Sequence, residues 1–113
     1  MPRVAVSAEV APGKVVDAAR RLGFNIRTAR KRRRLRQADL ARRAGITVQT
    51  LRRVEAGYLG TGIGAYLAAL WAMGLESDIG ALASPDADVE GPTLEAAMRP
   101  KRVRPEKRLD NDF

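Results

Sequence analysis

The 113-residue sequence has neither cysteine nor histidine. Without cysteine there is no disulfide framework and no thiolate metal site. Without histidine the commonest general base and the commonest metal ligand are both missing. No stretch approaches the roughly 18 consecutive apolar residues that a membrane-spanning helix requires. The N-terminal apolar run Val4–Val10 is short and interrupted by Ser7 and Glu9, which does not fit a secretory leader. A cytoplasmic binding protein is therefore expected rather than an enzyme, with no catalytic residue, metal or cofactor. Two further absences support this. The glycine-rich segment from Gly57 to Gly64 lacks the lysine of a phosphate-binding loop. Asp86, Asp88 and Glu90 lack the glycine and distal glutamate of a calcium loop, and read as a solvated acidic linker.

Charge is abundant, and it is segregated. Between Arg20 and Arg53 there are 13 lysines or arginines and a single acid, Asp39. From Val54 to Met98 there are seven acids and no base, and from Arg99 to Arg108 the chain is basic again. The net charge is +8. A basic block confined to one part of a small domain is the electrostatic footprint of a polyanion site.

The basic block contains the most structured stretch of the sequence, Gln37 to Gly57. Leu40 and Ala44 are four residues apart and share one helical face. Gly45 suits the left-handed turn that ends a helix. Thr47 is a good N-cap for a second helix, on which Leu51 and Val54 face one side. Gly57 stops it. Two short helices joined by a three- to four-residue turn make a helix-turn-helix.

Gln37, Leu40-Ala41, Ala44-Gly45-Ile46-Thr47, Thr50-Leu51, Val54-Glu55 and Gly57 together resemble the lambda-repressor-like (Xre-type) helix-turn-helix family. The similarity extends to Ile26, Arg30 and Leu35 upstream and to Ile63, Leu67, Leu70 and Leu75 downstream, about residues 22–82 in all. The resemblance implies an all-α, compact four- to five-helix domain, here with an extra N-terminal helix and flexible tails. It makes the helix after Thr47 the recognition helix of the major groove. It implies base reading by Val48, Gln49 and Arg53 and backbone contacts from Gln37, Thr47 and Arg52; the exposed side of the helix also offers Arg52 to the bases, and Thr50 joins the backbone set. Arg32, Arg34 and Arg36 extend the backbone set. It also implies an ion pair between Arg30 and Glu55. Arg36 departs from the family, which often has Ser or Thr there; Asp39 in the first turn compensates through the helix dipole.

Along the chain, residues 1–12 read as a flexible arm or weak strand, from the alternation of Val4, Val6, Ala8 and Val10. Residues 13–83 form the DNA-binding domain, with the motif at 37–57. Gly13 to Leu35 is mostly helical, but Gly23 is expected to interrupt it near Phe24-Asn25. Leu22, Ile26, Ala29 and Arg33 form its inner stripe. Ile63, Tyr66, Leu67, Leu70, Met73 and Leu75 form a core stripe. Trp71 caps the core or sits at a dimer interface. Glu76 to Ala83 is a short last helix with Ile79 and Leu82 inward. Residues 84–113 are an acidic linker and a basic tail that lacks an apolar period and is expected to be disordered alone. Within it, Thr93 is expected to cap a short helix, and Leu94, Met98, Leu109 and Phe113 are candidate docking residues for a protein partner.

These features point to a homodimeric, sequence-specific repressor of a near-palindromic double-stranded DNA site. Within that reading, the compact domain with its acidic-then-basic tail resembles HipB-like antitoxins. Such an antitoxin would repress its own operon and bind a HipA-like kinase toxin. The alternatives are a stand-alone dimeric repressor and a non-specific nucleic-acid coating protein, and the recognition helix argues against the last.

Overall fold

The computed structural model describes residues 10–100. Its elements are α1 (Gly13–Arg32), α2 (Gln37–Ala44), α3 (Val48–Glu55), α4 (Ile63–Ala72), the single turn α5 (Ser77–Gly80) and α6 (Gly91–Met98), with no strand among the described residues. The chain forms two compact units, one ending at Gly80 and the other beginning at Ala81. Val4, Val6 and Ala8 lie outside the described residues, as do Leu109 and Phe113.

In the first unit α2 packs on α3 and α4, and α1 packs on α3. The core is Ile26 of α1, Leu40 and Ala41 of α2, Leu51 and Val54 of α3, and Tyr66, Ala69, Leu70 and Met73 in or after α4. Ile26, Leu40, Leu51 and Val54 are fully buried. Removing each from water contributes about 1.5–3 kcal/mol, so one long and three short helices hold together through a few well-placed aliphatics. Tyr66 takes its hydroxyl into this core and donates it to the Tyr58 carbonyl at 2.9 Å. That bond anchors the loop after α3 to α4. Burial raises the pKa of the phenol.

The expected break at Gly23 does not occur. α1 runs unbroken for 20 residues, so the extra N-terminal helix and the first family helix are one element. The glycine serves packing. A Cβ there would lie 2.5 Å from the Val54 carbonyl oxygen and 2.7 Å from that of Glu55. Gly57 meets α1 from the other side, where a Cβ would lie 2.6 Å from the Ala19 carbonyl oxygen. Two glycines thus let the end of α3 close directly onto the backbone of α1.

Several edges of the expected stripes also move. Arg33 is exposed beyond the end of α1, because the helix stops at Arg32 and the Arg33 guanidinium donates back to the Ala29 carbonyl. Ile63 opens α4 and is 70% exposed, as a first-turn residue on the side away from α2 and α3. Leu82 is 71% exposed, since α5 ends at Gly80 and one turn cannot carry a helical face that far. Trp71 is exposed and does not cap the core of its own chain.

In the second unit Thr93 is not the cap of α6. Glu90 holds that position, Pro92 sits in the first turn, and the Asp88 carboxylate accepts from the Gly91 amide at 3.1 Å. Proline fits there because its missing N–H has no helical acceptor to lose. α6 buries no residue, and Leu94 and Met98 are exposed.

Candidate nucleic-acid interface

The interface is built on the two caps that frame α2 and α3. Arg36 at the start of α2 has no side-chain acceptor to offer the free amides of the first turn. Asp39, three residues on, supplies the reciprocal half of a capping box: its Oδ2 accepts from the Arg36 backbone N–H at 2.9 Å. The same carboxylate accepts from Arg36 Nε at 3.2 Å and Arg42 Nη2 at 3.4 Å. These bonds, with those from Arg36 foremost, lower the Asp39 pKa to about 2 and raise that of Arg36. The amides of Gln37 and Ala38 make no hydrogen bond among the described residues. They project from the N-terminus of α2, where the helix dipole also favours an anion.

The turn into α3 follows from three residues. Gly45 takes φ +73° and ends α2, and Ile46 packs against the core. Thr47 then caps α3, accepting from the Thr50 amide at 3.0 Å while donating its own hydroxyl proton to Thr50 Oγ1 at 2.9 Å. Both threonine hydroxyls are thus engaged with each other at the helix start.

α3 turns Leu51, Val54 and Glu55 inward. At 100° per residue, Gln49 and Arg53 fall on the opposite side, one turn apart, with Arg52 on the flank. All three are exposed, and Arg53 lies 6.0 Å over the ring of Tyr58. Val48 sits differently. It is half-buried and packs against the core, so only part of its side chain reaches the outer face.

Behind α3 lies the most constrained polar feature of the chain. Arg30 Nε donates to Glu55 Oε2 at 2.6 Å and Arg30 Nη2 to Glu55 Oε1 at 3.1 Å. The third Arg30 donor reaches the Leu35 carbonyl at 2.9 Å. Arg30 and Glu55 are only 7% and 9% exposed. Gln37 joins this pair: its Nε2 donates to Glu55 Oε1 at 3.0 Å, and its Oε1 accepts from Arg52 Nε at 3.4 Å. The sequence suggested a phosphate contact for the Gln37 side chain. In the structure that side chain bridges α3 and the buried pair, leaving its backbone amide as the group facing outward.

An open cleft of about 550 Å³ sits above this network, lined by Arg27, Arg30, Arg36, Gln37, Arg52, Glu55 and Ala56. Arg27 was not among the sequence-derived site residues. Its signal was its place three residues before Arg30, on the flank of α1 that turns toward α2. Thr50 is half-buried at the start of α3; Arg32 and Arg34 are exposed at and after the end of α1. The exposed arginines thus fall into two groups, one along α3 and one around the N-terminus of α2. Among the described residues no helix is long and apolar enough to cross a membrane.

Comparison with known proteins adds one match. Residues 26–63 fit the family model described as helix-turn-helix, a span from the middle of α1 to the start of α4. No curated protein and no solved structure matches the chain. Residues 26–63, about a third of the chain, are thus similar to the helix-turn-helix family, and that match supports a DNA-binding regulator of transcription.

Proposed function

We propose that the chain is a dimeric transcriptional repressor that reads a near-palindromic operator with α3. The observation that carries this is the outer ridge of α3. Gln49 and Arg53 stand one turn apart, both exposed and opposite the core, on a helix short enough to enter the major groove. Glutamine can bond adenine in two places and arginine can bond guanine O6 and N7. Val48 adds apolar contact with a thymine methyl through its exposed part, and Arg52 works from the flank. The backbone contacts fall to Thr47, Thr50, Arg32, Arg34 and Arg36, with the free amides of Gln37 and Ala38 at the start of α2. Phosphate contacts of this kind set register without reading sequence.

A single eight-residue reading helix is too small to be selective alone, so two copies place two half-sites about 34 Å apart. The exposed stripe of α4 supports a second copy: Ile63, Leu67 and Trp71 recur every four residues, and Ile63 and Trp71 are exposed. The test is selection of bound duplexes followed by footprinting. A two-fold symmetric site with the expected spacing supports the reading. Gln49→Ala should cost about 1–3 kcal/mol on that site and little on random duplex. Tight, selective binding of one half-site by a monomer would refute the dimer. Equal loss on specific and random DNA would refute the base-reading role.

A second reading, an antitoxin that also binds a HipA-like kinase, draws on one observation. α6 buries nothing and leaves Leu94 and Met98 exposed, as a docking helix would. Truncation after Ala83 separates the two readings. Loss of a co-purifying toxin with operator binding intact supports the antitoxin; a chain that represses with no such partner is a stand-alone repressor.

A further inference from the structure

Four helices of the first unit end in the same hydrogen-bonded turn. After α1 the amide of residue 34 donates to the Lys31 carbonyl and the amide of Leu35 to that of Arg30, at 2.9 and 3.2 Å. After α2 the corresponding bonds are Gly45 to Arg42 and Ile46 to Ala41, at 3.2 and 3.0 Å. After α3 they are Gly57 to Val54 and Tyr58 to Arg53, and after α4 Gly74 to Trp71 and Leu75 to Leu70. This paired pattern demands a left-handed residue at the first donor. Three of the four turns use glycine there, with φ between +72° and +75°. The fourth uses Arg34, at φ +56°. The chain therefore carries its own control: the same turn is made three times with the residue that suits it and once with one that does not.

Electrostatics oppose Arg34 as well. It follows Arg30, Lys31, Arg32 and Arg33 and precedes Arg36. Its neighbours are partly relieved: Arg30 by Glu55, Arg33 by the Ala29 carbonyl and Arg36 by Asp39. The Arg34 guanidinium has no hydrogen bond or ion pair among the described residues. It stands at the loop that leads into the free amides of Gln37 and Ala38. Backbone conformation and repulsion both favour glycine at this position, and a polyanion reverses the second of these.

We infer that Arg34 is held in a glycine position to neutralise a DNA phosphate beside the N-terminus of α2, so that folding stability is given up for binding. This rests on the chain binding duplex DNA, and goes further in assigning a stability-for-affinity exchange to one residue. Nothing in the fold requires an arginine here.

The full chain is compared with Arg34→Gly, Arg34→Gln and Arg34→Lys. Melting is followed by circular dichroism, and binding uses two labelled duplexes, the selected operator and a scrambled one of equal length, across a salt series. Arg34→Gly should melt about 2–4 °C higher, because relief of the left-handed strain outweighs the entropy that glycine returns to the unfolded chain. It should bind both duplexes about fivefold more weakly at 0.15 M salt, with the salt slope shallower by about 0.9, as for one lost phosphate contact. Arg34→Gln should lose the same affinity without gaining the full rise in melting temperature. Arg34→Lys should bind nearly as the parent does. If Arg34→Gly binds both duplexes with unchanged affinity and slope, the phosphate role is overturned. If it does not melt higher, the exchange is overturned. Failure of the parent chain to bind either duplex would instead remove the DNA-binding reading itself.

Discussion

The buried pair between Arg30 and Glu55 makes a prediction whose size follows from the bonds it holds. Glu55 accepts two hydrogen bonds from Arg30 and one from Gln37, and Arg30 Nη1 donates to the Leu35 carbonyl. Glu55→Leu strands a guanidinium in a site that is over nine-tenths buried and removes the anchor of Gln37. Breaking a buried pair in this way costs about 3–5 kcal/mol, against a total of about 5–15 kcal/mol for a domain of ordinary stability. Arg30→Met strands the carboxylate instead, with Gln37 still bonded to it, and should cost a similar amount. The double variant Arg30→Met/Glu55→Leu leaves no stranded charge. It should recover much of the loss, because a well-packed apolar pair is often no less stable than the ions. The assay is urea unfolding of all four proteins with a common m-value, read as a double-mutant cycle. Strongly non-additive losses, with the double variant more stable than either single one, support the reasoning. Single losses under about 1 kcal/mol, or losses that simply add, would mean the pair behaves like a solvent-exposed one and would refute it. In the parent, the pair should matter for DNA binding through geometry: the double variant folds but lets the end of α3 shift, so its operator affinity should fall while its stability holds.

Three further outcomes are expected. Asp39 has a folded pKa of about 2 against an ordinary 3.8, so its contribution to stability is complete above about pH 4 and is lost as pH falls toward 2. Asp39→Asn should therefore flatten the acid limb of the stability curve between those values; an unchanged limb would show that the capping bond to Arg36 contributes nothing. Gly23→Ala should destabilise by about 1–3 kcal/mol despite alanine's better helix propensity, because the new Cβ meets the Val54 and Glu55 carbonyls, and a rise in melting temperature would contradict the close approach of α1 and α3. Thr47→Ala should cost about 1 kcal/mol through loss of the α3 cap, with a larger fall in operator affinity than in stability if the hydroxyl also meets a phosphate, as a salt series on the variant would show.

The helix-turn-helix was legible because its signals are local. The turn at Gly45, the cap at Thr47 and the spacing of Leu40, Leu51 and Val54 each act within a few residues, and all agree. Gly23 was misread for the opposite reason. Locally a glycine weakens a helix, and only the approach of α3, more than thirty residues later, shows why it is there. Ile63 and Leu82 kept the right spacing, but periodicity cannot say where a neighbouring helix stops covering a face. The cleft was half legible. Arg36 and Arg52 were picked out by the motif, whereas Arg27 lies outside the motif and joins them because its place on α1, three residues before Arg30, brings it to the cleft at the start of α2.

The same geometry explains why the polar network is better regarded as a positioning device than as a source of stability. Gln37 opens α2, Glu55 closes α3 and Arg30 lies in the last turn of α1. Arg52, on the flank of the reading helix, is tied to the same network through Gln37. A shift of α3 by even part of a turn would separate Glu55 from both partners, leaving a buried charge exposed to the full penalty of isolation. The ridge of Gln49 and Arg53 is therefore fixed relative to the free amides of α2. The spacing between base-reading and phosphate-holding groups is set before DNA arrives, and preorganisation of that kind raises affinity by lowering the ordering cost of binding.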